Sequence, residues 1–169
     1  MKLPIIHLGL FTVVLTLWCP LYPRIAKVAS EVDETFAGKV SQGGMYEVEA
    51  SKVAIQKATA QAVKDLAAAE VRDHALVNNE LKKIADTDGV DAAPHLNIMF
   101  QQRLDKLKHV SGTEFDLAYA NDMAQIHDMD EKLFAKEAIN GSGQFKAFAA
   151  KTNLIVKRHI GAIHGADLQ

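Results

Sequence analysis

The chain has 169 residues, 49% hydrophobic and 24% charged, with 7% aromatics, four prolines and one cysteine. This length and apolar fraction suit a single domain with its own core and exclude an intrinsically disordered chain. One cysteine excludes a disulfide scaffold and multi-thiolate metal sites, and a net charge of −2 leaves no basic footprint for nucleic acid.

The first thirty residues differ from the rest. Lys2 forms a short positive start, Leu8 to Trp18 is an uncharged apolar run, and Val28-Ala29-Ser30 precedes the acidic Glu31-Val32-Asp33-Glu34. This is the pattern of a cleaved export signal over residues 1–30, with a helical domain over 31–169. The apolar run is short for a spanning helix, which needs about 20 residues. Arg24 and Lys27 after the run keep a retained N-terminal anchor as the alternative. Trp18 before Cys19 does not fit a lipoprotein signal. Residues 1–30 hold three basic residues and no acid, so residues 31–169 keep 16 basic and 21 acidic residues, a net charge of −5. The expected location is the periplasm or the cell envelope, with no stable membrane span once the signal is removed.

Beyond residue 30, apolar residues recur at three- and four-residue steps, and Pro94 is the only proline. The expected class is all-α. A first helix is predicted from about Met45 to Ala58, with a looser start before Gly43-Gly44. Thr59 is the expected cap of a second helix from about Gln61 to Ala85, whose stripe is Val63, Ala67, Glu70, His74, Val77, Leu81 and Ile84. A polar connection from Asp86 to Pro94 leads to a short helix, Leu96 to Val110. Ser111-Gly112-Thr113-Glu114 reads as a capping box opening a long helix to about Ile139, with Asn140-Gly141 as a left-handed stop. Ser142 is the expected cap of the last helix, whose stripe carries Phe145, Phe148, Thr152, Val156, His159 and Ile163. Two hairpins joined by a long crossover make a ferritin-like four-helix bundle with an extra short helix in the crossover.

Four polar residues on the inward stripes fall at one level. Glu47 and His74 lie about 13 residues either side of the first turn, roughly 20 Å along the helices at the usual rise. His127 and His159 lie about 16 residues either side of the second turn, and a crossover that restarts the third long helix beside the start of the second levels all four. A carboxylate and three imidazoles are costly among Ala, Leu, Val and Phe unless something pairs with them. Three His and one Glu form a ligand set for a transition metal, zinc or iron ahead of copper. Glu70, one turn from His74, is a second candidate ligand or an acceptor that holds His74. Met123, one turn from His127, is core filling or a thioether donor that would suit copper. Asp116 and Tyr119 are expected to serve a buried hydrogen bond.

These residues carry a family resemblance. Glu47-Val48-Glu49, Asp73-His74, Asn78-Asn79-Glu80-Leu81, the run Ser111 to Tyr119, Met123, His127 with Leu133-Phe134, and Arg158-His159 together resemble domain of unknown function 4142. Its members are bacterial exported proteins, often labelled predicted outer membrane proteins and placed with ferritin-like folds. The resemblance covers about residues 34–166 and implies an envelope-located helical bundle with no established activity. The family usually has Met where Glu70 stands and Asp where Ile126 precedes His127.

No Glu-x-x-His pair occurs, so the two-iron ligand set of ferritin-like oxidases is not formed. No phosphate loop, nucleophile elbow or nucleic-acid motif is present. The reading is a metal-binding, sensing or storage bundle rather than an enzyme, with the metal ion as its one indicated partner. The alternative is a non-catalytic envelope stress or interaction protein whose buried histidines are structural.

Overall fold

Apolar spacing of three and four becomes five helices in the computed structural model, which describes residues 29–165: α1 Glu31–Lys57, α2 Gln61–Asp88, α3 Ile98–His109, α4 Gly112–Asn140 and α5 Gly143–Gly165. The export-signal pattern falls mainly on residues 1–28, outside the described residues. Among the described residues no helix is long and apolar enough to cross a membrane. The hairpins α1–α2 and α4–α5 pack side by side, with α1 against α4 and α2 against α5, while α3 lies across α1 and α4. Contacts such as Ser51–Tyr119 and Glu80–Lys151 show that α1 and α4, like α2 and α5, run antiparallel. It follows that α2 and α4 are parallel, as the crossover requires.

The first helix is longer than the sequence suggests. It runs unbroken through Gly43-Gly44 because these glycines admit close packing rather than ending the helix. A Cβ on Gly44 would stand 2.1 Å from Asn78 Oδ1. Its start is a capping box, in which Ser30 Oγ accepts from the Asp33 N–H and the Asp33 carboxylate accepts from the Ser30 N–H. Ala29 is buried in the core beside it. A cut between residues 30 and 31 would therefore pass through a built helix cap.

The expected caps are largely replaced by tertiary ones. Thr59 does not cap α2; the cap position is Ala60, and its side chain offers nothing. Asp116 of α4 does the work instead, accepting from the backbone N–H of Thr59 at 2.9 Å and of Ala60 at 2.8 Å, and from the Thr59 hydroxyl. Tyr119, beside it on α4, shares its hydroxyl hydrogen bond with Ser51 at 2.8 Å. The helix runs on to Asp88 and stops at Gly89, which is left-handed at φ 71°. Ser111 holds the cap position of α4 without a side-chain bond. Gly141 is extended at φ −68°, not left-handed, and is needed for space, since a Cβ there would lie 2.7 Å from the Glu137 carbonyl oxygen. Ser142 gives its N–H and hydroxyl to Asp33, at 2.9 and 2.6 Å, and so ties the α4–α5 turn to the start of α1. Burial opposes ionisation of Asp33, but the bonds from Ser142 and Ser30 hold its pKa well below the usual range. Glu137 lies against it, and burial together with that neighbouring charge pushes its carboxyl up to about 7.

The apolar core is in two parts. One holds Tyr46, Val63, Leu66, Phe100, Leu104, Phe115, Tyr119 and Met123. The other holds Phe36, Val40, Val77, Leu81, Phe134, Phe145, Phe148 and Val156. A layer of buried ionisable residues lies where the two parts meet: Glu47 in α1, Glu70, Asp73 and His74 in α2, His127 and Asp130 in α4 and His159 in α5. Replacing the cross-helix cap at Asp116 tests how the hairpins are joined. Asp116→Ala should cost about 2 kcal/mol, because three donors at the start of α2 lose their acceptor, and chemical denaturation will read it.

Candidate metal centre

The polar layer is built by helical spacing. Glu70 and His74 are four residues apart and share one face of α2, while His127 and His159 face them from α4 and α5. All are buried. The ring centroids of His74, His127 and His159 are 5.3–5.5 Å apart in every pair. One atom from each of Glu70, His74, His127 and His159 lies within 4.8 Å of the other three. Glu70 is the hub. Its Oε2 is 3.0 Å from His74 Nε2 and 3.0 Å from His159 Nδ1, and its Oε1 is 3.3 Å from His127 Nε2.

The outward nitrogens of the three rings each meet an acceptor. His74 Nδ1 is 2.9 Å from Glu47 Oε2, His127 Nδ1 is 2.9 Å from the Met123 carbonyl, and His159 Nε2 is 3.0 Å from Asp73 Oδ2. A carbonyl or an ionised carboxylate can only accept, so each outward nitrogen carries the ring proton. In the neutral rings, His74 Nε2, His127 Nε2 and His159 Nδ1 then present lone pairs to one point beside Glu70. His127 Nε2 and His159 Nδ1 are only 3.2 Å apart. Two facing lone pairs at that distance repel unless a proton or a metal cation lies between. Both Glu70 oxygens and His74 Nε2 are buried without a hydrogen-bond partner among the described residues. The donor set therefore suits a cation, and carboxylate or carbonyl groups behind imidazoles are the usual outer support of a bound metal.

Electrostatics show the same demand. Burial opposes the charge on Glu70, but contacts from His127, His159 and His74 outweigh it and hold the carboxyl well below the usual range. Glu47 is likewise held low, against its burial, by the charge and contact of His74. Burial works to lower the His74 and His127 pKa values, yet the carboxylates prevail. His74 rises well above its ordinary value and His127 is pushed up to about 9. Around the layer, burial and the charge of Glu47 push the Asp130 carboxyl well above its ordinary range. Asp73 is held low against its burial by Arg72, His159 and Arg158. Its carboxylate takes Arg72 Nε at 2.9 Å and Arg158 Nη2 at 2.6 Å.

All four residues expected at one level meet there, but their parts differ. Glu70, the secondary candidate, completes the group with the three histidines, while Glu47 stands behind His74 and 3.6 Å from His127 Nδ1. Met123 contributes its carbonyl, and its side chain belongs to the apolar cluster. Sequence reasoning missed Asp73 and Asp130 as parts of the layer. Asp130 lies three residues from His127, a spacing that places it on the same helix face. Asp73 precedes His74 directly and turns off the stripe, so only the position of α5 joins it to His159.

The sequence matches the family "Domain of unknown function (DUF4142)" over residues 23–165. The chain belongs to that family. No curated protein matches it. Two solved structures share the fold of this DUF4142 protein. A DUF305 fragment from Deinococcus radiodurans superposes with a TM-score of 0.72 at 9% identity, covering 82% of this chain and 96% of its own. The "putative secreted protein DUF305" from Streptomyces coelicolor gives 0.66 at 16% identity, covering 78% and 88%. At such identities the likeness speaks for the helical bundle alone.

The raised His127 makes a pH prediction for this DUF4142 protein after chelator treatment. A histidine whose folded pKa exceeds its unfolded value adds stability below about 6.5, and that stability is lost as pH rises through about 9. Thermal melts should fall across this window, and His127→Gln should remove part of the slope.

Proposed function

We propose that this protein binds one transition-metal ion in the middle of its bundle, through Glu70, His74, His127 and His159. The observation that carries the reading is the convergence of three imidazole lone pairs and an unpartnered carboxylate, each ring fixed from behind by an acceptor. Glu47, Asp73 and the Met123 carbonyl orient the rings. Zinc and iron suit imidazole with carboxylate better than copper, whose thioether preference has no partner in this layer. The enclosure of every donor favours holding or sensing the ion over turnover, because a catalytic metal keeps a position open to substrate. A single central carboxylate with three imidazoles also differs from the carboxylate-rich pair of sites in ferritin-like two-iron proteins.

Protein purified without an affinity tag should carry about one equivalent of metal, or take it up after chelation, with a rise in melting temperature as the ion binds the folded state. Glu70→Gln, His74→Ala and His159→Ala should abolish this rise. Glu47→Gln and Asp73→Asn, which remove only outer support, should weaken affinity about tenfold or more. A metal-free wild type that is not stabilised by added zinc, iron or copper would instead support a non-catalytic envelope stress or interaction protein with structural histidines.

We further propose that the chain is exported and acts in the periplasm or at the cell envelope, on the signal pattern of residues 1–30. Because Ser30 caps α1 and Ala29 is packed beside it, cleavage upstream of Ala29 preserves the fold better than cleavage after Ser30. N-terminal sequencing of the exported protein should find both residues retained, and a mature chain starting at Glu31 would refute this.

A further inference from the structure

This inference rests on the metal reading above and asks how an ion reaches a centre whose donors are all buried. Two carboxylates touch the layer from outside while keeping some exposure, Asp73 at 7% and Asp130 at 8%. Their surroundings differ in how closely positive charge covers the carboxylate. Asp73 is covered by Arg72 and Arg158, whose side chains are 66% and 61% exposed, so two guanidiniums stand between a cation and that side of the centre. Among the described residues Asp130 forms no ion pair with a basic side chain. It lies instead in a cavity of about 460 Å³ between α1, α3 and α4.

The chemistry of this cavity suits passage. α1 contributes Gly38 and Gly43, which open gaps in its wall, together with Lys39 and Gln42. Met99 and Met129 line it from α3 and α4 and are 61% and 54% exposed. A Cβ on Gly43 would stand 3.8 Å from Asp130 Oδ1, so Asp130 lies directly against that open stretch of helix. On its inner side Asp130 lies close to Glu47, whose charge opposes its ionisation. The other side of Glu47 faces His74 Nδ1 at 2.9 Å and His127 Nδ1 at 3.6 Å. Carboxylates of Asp130 and then Glu47 thus stand between the cavity and the imidazoles.

We propose that this cavity is the route of a divalent cation into the centre, with Asp130 and then Glu47 as the oxygen donors that pass it inward to Glu70 and the three histidines. Asp130 and Glu47 replace water molecules shed by the ion, as hard oxygen ligands do for divalent metals. The arginine-covered side at Asp73 serves to orient His159 and is closed to cations by its charge.

The test is the rate of loading of chelator-treated full-length mature protein with cobalt(II), followed by the visible absorption of the bound ion. Charge is altered at the cavity rim, at exposed Met129, and at Leu154, which is 70% exposed and one turn from Arg158 on the other side. Met129→Glu should speed loading and Met129→Lys should slow it, each about threefold at low salt, with the difference collapsing near 0.5 M salt. Leu154→Glu and Leu154→Lys should leave the rate unchanged. Asp130→Asn should slow loading about tenfold. Equal responses at the two positions, a larger response at Leu154, or wild-type loading by Asp130→Asn would overturn the route while leaving the metal site intact. No cobalt uptake by the wild type would instead bring down the metal reading itself.

Discussion

A layer of ionisable side chains, buried between two apolar clusters, is the constraint on which this structure depends. Carboxylates and imidazoles removed from water are unfavourable unless their charges are compensated and their hydrogen-bonding atoms are paired. The compensation is local. Glu70 faces three rings, Glu47 and Asp73 support two of them, and two arginines close the Asp73 side. The same groups that would bind a metal take up protons in its absence, which is why His74 and His127 are basic while Glu70 and Glu47 stay ionised. Proton and metal therefore compete for one set of lone pairs.

The rest of the fold keeps that layer in register. A shift of any helix by one residue would turn its ligand about 100° away from the centre. Asp33 ties the α4–α5 turn to α1, and Asp116 ties the α1–α2 turn to α4, so both hairpins are held against one another at opposite ends of the bundle. Each of these aspartates accepts several hydrogen bonds and has its pKa lowered by them, despite burial. The aromatic cluster of Phe36, Phe134, Phe145 and Phe148 packs one end with edge-on rings, and Tyr46 packs at a tilt against Phe100 to seat α3.

Glu70 changes meaning between sequence and structure. On its stripe it is one turn from His74 and is only a neighbour of the expected site. In the fold it is the group on which all three rings converge. The limit of sequence reasoning was rotational: helix spacing puts Glu47 and Glu70 both inward, and the angle between helices decides which is nearer the axis. The same limit hid Asp73, which a stripe argument places outside, and which α5 brings to His159.

While the crossover brings the two pairs to one level, the all-helical class, the pairing of helices into two hairpins and the levels of Glu47 with His74 and of His127 with His159 are legible in the sequence. Those follow from periodicity and from rise per residue, which are local properties of a chain. The unbroken first helix, the trans caps from Asp116 and Asp33, the central place of Glu70 and the outward partners of each ring were decided only by tertiary structure. Each depends on how close two helices approach and how they are rotated. That is set by the packing of Gly44 against Asn78 and of the two apolar clusters, not by any single stretch of residues.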